Sequence, residues 1–126
     1  MLFHRDPSEA YRRVDFDARV KGATSRQLVD LCLEQVAGSV GRAIHAANSG
    51  DNGTKSRALT RAVAALTALQ MGVDANAPTG AALIHLYQSA RNTILDNVLN
   101  FDPAKLGQIR EDFVEIRQAM LGAGSV

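Results

Sequence analysis

Apolar positions recur at intervals of three and four along most of this chain, the spacing that lines one face of an α-helix. From Leu28 they run through Leu31, Cys32, Val36, Val40, Ala43, Ile44 and Ala47, one stripe ending near residue 48. Thr24-Ser25-Arg26-Gln27 stands before it as a capping box, in which the Thr24 hydroxyl and the Gln27 amide satisfy backbone donors at the helix start. Gly38 and Gly41 weaken this helix, so the close approach of a neighbouring backbone is expected there. The polar run from Asn48 to Gly53 is a turn, and Thr54 is placed to cap a second helix over 55–72. Leu59, Ala62, Val63, Leu66, Leu69 and Val73 form its apolar side. Asp74 to Pro78 ends that helix and Thr79 caps a third, whose apolar set is broader than one seam requires: Leu83, Ile84, Leu86, Tyr87, Ala90, Ile94, Leu95, Val98 and Leu99. Asp102-Pro103 joins a cap to a proline at the first helical position, and Leu106, Ile109, Phe113, Ile116 and Met120 follow as the core of a fourth helix. Gly122 to Val126 reads as a frayed tail.

The N-terminal stretch has a different rhythm. Asp6-Pro7-Ser8-Glu9 suits a short helix carrying Tyr11 and Val14. From Val14 to Lys21, however, Val14, Phe16, Ala18 and Val20 alternate with Asp15, Asp17, Arg19 and Lys21, a period of two that predicts an extended strap. No second strand candidate exists to pair with it, so it is expected to lie as an arm on the helices. The pattern as a whole predicts an all-α fold: an up-and-down antiparallel four-helix bundle preceded by an N-terminal arm or short helix. At 126 residues it is read as a single domain, with an arm over 1–23, the bundle over 24–121 and a flexible tail over 122–126.

Composition narrows the function classes. The formal charge is +1 and basic residues are interspersed with acids, which argues against a nucleic-acid or anionic-lipid footprint. Arg12 with Arg13, and Lys55 with Arg57 and Arg61, are the densest basic groups, read as solvated helix faces. Cys32 is the single cysteine, so no intramolecular disulfide forms, and its place in an apolar stripe predicts a buried thiol in a reducing compartment. No stretch approaches the roughly 20 apolar residues of a membrane span, and no signal sequence opens the chain, which points to the cytoplasm.

Catalytic patterns are sparse. His4, His45 and His85 are far apart in sequence and stand in no zinc motif; Glu111, Asp112 and Glu115 lie on one helix with no Glu-x-x-His pair. No metal, no cofactor and no catalytic residue is expected. The competing class is a histidine phosphotransfer bundle using His45 or His85, although neither is followed closely by the Lys-Gly companion of such a histidine. The excess of apolar surface on the third helix, together with the N-terminal arm, favours a groove that shelters another polypeptide.

The order of residues resembles the FliS family of flagellin-specific export chaperones. Ala23-Thr24-Ser25-Arg26-Gln27-Leu28 is similar to that family's Ala-Thr/Ser-Pro-x-Glu/Gln-Leu start. Asp51, Lys55, Leu59 and Ala62 match its turn Asp, Lys and Leu-x-x-Ala element, and Leu69 to Asp74 resembles its Leu-x-x-x-Leu-Asp end. Leu83-Ile84-His85-Leu86-Tyr87, Asp102 with Leu106, and Arg117 with Ala119 follow in the same order. Departures mark a divergent member: Ser25 for Pro, Leu33-Glu34 for an aromatic-Asp pair, Thr93 for Arg, Asn97-Val98 for Ala-Asn, and Met120 for Trp. The resemblance implies a cytoplasmic chaperone that binds the disordered C-terminal segment of flagellin, prevents premature polymerisation and delivers it to the flagellar type III export gate. It also implies that the arm covers the groove when flagellin is absent. A homodimer through that groove, a co-chaperone, or another secretion substrate remain open on the sequence. The expected contact residues are Tyr11, Val14 and Phe16 of the arm with Leu69, Ile84, Leu95 and Leu99 of the outer helix stripes, whereas Leu66, Tyr87 and Ile94 are expected in the core.

Overall fold

The computed structural model describes residues 7–124, and among them every regular element is helical. In chain order these are α1 (Pro7–Lys21), α2 (Ser25–Asn48), α3 (Asn52–Met71), α4 (Gly80–Leu99) and α5 (Pro103–Gly124). By compactness the chain divides into two units, Met1–Leu31 and Cys32–Val126, with the boundary inside α2.

In the first unit the extended strap is corrected: the alternating segment is the second half of α1. Val14 and Ala18, and likewise Phe16 and Val20, are four apart, so the same residues satisfy a helical period. A lone strand would leave its N–H and C=O groups unpaired, whereas a helix pairs them within the segment. Arg19 and Lys21 occupy the last turn, where cations complement the negative end of the helix dipole. The Ala23 N–H donates to the Val20 carbonyl at 3.2 Å as the chain leaves the helix. The capping box forms as expected: the Gln27 N–H donates to Thr24 Oγ1 at 3.2 Å, and the Thr24 N–H donates to Gln27 Oε1 at 2.9 Å.

In the second unit the apolar stripes of four helices meet in one core. α2 supplies Leu33, Val36, Val40 and Ala43, α3 supplies Leu59, Ala62, Leu66 and Leu69, α4 supplies Tyr87, Ala90 and Ile94, and α5 supplies Leu106, Ile109 and Phe113. Each large apolar side chain buried in this way stabilises by about 1.5–3 kcal/mol before entropy is counted. Leu66, Tyr87 and Ile94 take the core positions expected of them. α3 packs along α4, and the Tyr87 and Phe113 rings, with centroids 6.2 Å apart, join α4 to α5. Arg117 of α5 pairs with Glu34 of α2 at 3.0 Å. Arg110, one step of seven back along α5, lies over Gly41, the same step forward along α2, so the two helices pass in opposite senses. The backbone approach expected at Gly38 and Gly41 is corrected accordingly: a Cβ on Gly41 would lie 3.1 Å from Arg110 Nε, and one on Gly38 would lie 3.4 Å from Arg42 Nη1. Both neighbours are side chains.

The connections carry further corrections. Asp51, and not Thr54, caps α3: its carboxylate accepts from the Thr54 N–H at 3.0 Å and from the Thr54 hydroxyl at 2.7 Å. Gly50, just before it, takes φ of +74°, a left-handed conformation that suits glycine. Thr79 sits at the cap of α4 without a side-chain bond to the helix. The close backbone approach in this unit is at Gly80, where a Cβ would strike the Asp74 carbonyl oxygen and lie 3.2 Å from Ala75 Cα. Of the tail expected over 122–126, residues 122–124 belong to α5, which continues through Gly124, and 125–126 lie outside the described residues. Among the described residues no helix is long and apolar enough to cross a membrane.

Candidate functional site

α4 spends its inner face on Tyr87, Ala90, Ile94 and Asn97, so apolar residues outside that stripe have no core to enter. At its C-terminal end Leu95, Val98 and Leu99 are 42%, 51% and 87% exposed. Their spacing of three and four places them side by side on one outer turn. Two of these were expected as contact residues; Val98 was part of the same broad apolar set but was not singled out. Ile84, at the other end of α4, is half-buried.

Leu69 does not belong to this outer surface. It is 4% exposed because Leu59, Ala62, Leu66 and Leu69 follow one another at three and four, the core stripe of α3, and its expected outer position is corrected. In α1 Tyr11 is 73% exposed and Phe16 is half-buried, while the Val14 side chain lies outside the described set.

Beside the α4 ridge a groove of about 910 Å³ runs between α4 and α5. Its shape depends on Asn97, which is 2% exposed. The Asn97 Nδ2 donates to the Thr93 carbonyl at 2.9 Å, and its Oδ1 accepts the Asp102 N–H. One amide thereby holds the end of α4 to the start of α5 and satisfies its own buried polar atoms. Asp102 then caps α5 as expected, accepting from the Ala104 N–H at 3.1 Å and the Lys105 N–H at 3.3 Å. Phe101 closes the same corner with the Lys55 ammonium 5.2 Å from its ring centroid. The groove walls also carry Asp96, Gln108 and Asp112, and Gln108 Nε2 donates to Asp112 Oδ1 at 2.9 Å. Leu86, Ile109 and Phe113 line the same groove, so its walls are mixed polar and apolar.

Titratable groups offer no comparable assembly. Cys32 is half-buried where a buried thiol was expected, and removal from water raises its pKa, which disfavours the thiolate. Burial likewise raises the Tyr87 phenol, with a smaller contribution from the charge of Cys32. His45 and His85 are both exposed, which a phosphotransfer site would need of one of them but which does not by itself distinguish such a site. Among the described residues no three His, Cys, Asp or Glu side chains gather where they could hold a metal ion.

Comparison with curated proteins finds no match to this chain. Comparison with protein families finds one described as "Flagellar protein FliS", matching residues 7–123, which runs from the first turn of α1 to the last turn of α5. That span includes the ridge, the groove and the capping box together, and the chain therefore belongs to the FliS family of flagellar chaperones.

Proposed function

We propose that the protein is a cytoplasmic export chaperone that holds the disordered C-terminal segment of flagellin, keeps it from polymerising and brings it to the flagellar type III export gate. The family match carries this reading. The exposed ridge of Leu95, Val98 and Leu99 supports it physically, because an unfolded amphipathic segment needs an apolar surface that is already folded. Ile84, half-buried at the other end of α4, and Tyr11, exposed on α1, are read as further contact residues. We further infer that α2 to α5 form an up-and-down antiparallel bundle. The opposite senses of α2 and α5 at Glu34–Arg117 and Gly41–Arg110, and the short connections between successive helices, support that arrangement.

The test replaces Leu95 and Leu99 together by Asp and measures affinity for a flagellin C-terminal peptide by calorimetry. Both side chains are exposed, so the helical circular dichroism spectrum is expected to be unchanged. Loss of two apolar contacts, each worth about 1.5 kcal/mol or more when buried, should weaken binding by more than about a hundredfold. A folded double variant with unaltered affinity would show that flagellin is held elsewhere.

A further inference from the structure

The groove between α4 and α5 follows α4 from Leu86 to Asn100, roughly 20 Å of helix, a length that suits a bound helix better than a small molecule. Its floor is apolar, from Leu86, Ile109 and Phe113, and its charged lining sets three acids, Asp96, Asp102 and Asp112, against one cation, Lys105. Asp102 stands three positions before Lys105 on α5, and its carboxylate already caps that helix. Asp96 and Asp112 have no such neighbour: no Lys or Arg lies three or four positions from either on its own helix. Among the described residues Lys105 makes no ion pair with either of them. Asp96 is in the last turn of α4, beside the negative end of the helix dipole, where an acid is unfavourable to the helix itself. Asp112 accepts from the neutral Gln108 amide, which leaves its charge in place. Two contacts set the walls in register, Asn97 with Asp102 and Tyr87 with Phe113, so Asp96 and Asp112 stand about two helical turns apart along the groove.

We propose that this groove takes a helical stretch of the cargo and selects one that carries Lys or Arg about two turns apart beside its apolar face. The proposal rests on the chaperone reading and adds to it the chemistry of the segment held. Charge complementarity chooses the sign of the occupant. The apolar floor receives aliphatic side chains, and the stems of Lys or Arg lie along the walls while their charged heads reach Asp96 and Asp112. A segment with acids at the same positions is turned away by like charge. The ridge of Leu95, Val98 and Leu99 is blind to charge sign, so this selection belongs to the two aspartates of the groove.

The experiment titrates the full chain, ¹⁵N-labelled, with an amphipathic peptide of about 15 residues, long enough for an isolated helix to form, with Leu on one face and two Lys two turns apart beside it. A second peptide has Gln at both Lys positions, and a third has Glu. The Lys peptide is expected to shift the Thr93 and Gln108 amides and to bind about fivefold tighter than the Gln peptide, the gain of two exposed ion pairs, with the Glu peptide weaker still. Asp96→Asn together with Asp112→Asn should erase the difference between the Lys and Gln peptides, whereas Glu115→Gln, exposed on α5 outside the groove, should preserve it. Equal binding of the three peptides, absence of shifts at Thr93 and Gln108, or a double variant that still prefers Lys would each overturn the proposal. The chaperone reading is judged separately, by the flagellin peptide and the Leu95 and Leu99 Asp variant. Loss of flagellin binding in that variant, with equal binding of the three peptides by wild type, leaves that reading standing and removes this one.

Discussion

A hydrogen atom in place of a methyl group decides whether the connection from α3 to α4 can close. At Gly80 the added carbon of alanine would meet the carbonyl of Asp74, which is backbone and cannot swing aside as a side-chain tip can. Gly80→Ala is therefore expected to destabilise by about 1–3 kcal/mol in urea unfolding. Gly107 is the opposite case within α5: a Cβ there meets nothing within 4 Å, so Gly107→Ala should stabilise by about 0.5–1 kcal/mol through helix propensity alone. Asp51 makes a prediction in pH. The Thr54 hydroxyl, and then the Thr54 N–H, hold its pKa below the ordinary carboxylate value. A depressed folded value means that its stabilisation is fully present above the unfolded pKa of about 3.9 and is lost as pH falls through the folded value. Melting temperatures of wild type and Asp51→Asn, whose amide caps without titrating, should converge as pH is lowered into that range. None of this was readable from residue types. Thr54 and Asp51 are both good caps, and the chain conformation chooses between them. The obstacle at Gly80 comes from a residue six positions earlier, folded back over it.

At the scale of elements, helix ends were legible wherever caps and prolines marked them, as at Thr24 with Gln27 and at Asp102 with Pro103. The failures have two physical causes. Val14 to Val20 fits periods of two and of four at once, and the helix prevails because it pairs its N–H and C=O groups within the segment, which an unpartnered strand cannot. Leu69 lies inside because it continues the core stripe of α3, and a one-dimensional pattern cannot say which edge of a broad apolar face meets the neighbouring helix. The corner between α4 and α5 rests on a polar device that apolar periodicity does not register, the buried Asn97. Asn97→Ala would leave the Asp102 N–H and the Thr93 carbonyl without this partner, and a loss of about 1–3 kcal/mol is expected by chemical denaturation. Hydrogen exchange should then quicken at Asp102 and through the first turn of α5, while the α3 amides keep their protection. Uniformly faster exchange across all helices would deny Asn97 its local role.

At the scale of the whole molecule, the helical class and the core of α2 to α5 followed from periodicity, and the family was legible from the order of weak motifs spread along the chain. The outer ridge was legible only in part, since exposure depends on which residues the neighbouring helices leave uncovered. The placement of the two tyrosines has an optical consequence. The chain has no tryptophan, and Tyr11 is exposed on α1 while Tyr87 is sealed beside Phe113. Intrinsic ultraviolet emission therefore arises from one phenol in each compact unit, and Tyr11→Phe would silence the first without touching the core. The difference between wild-type and variant spectra reports events at α1 separately from unfolding of the helices around Tyr87, without any added label.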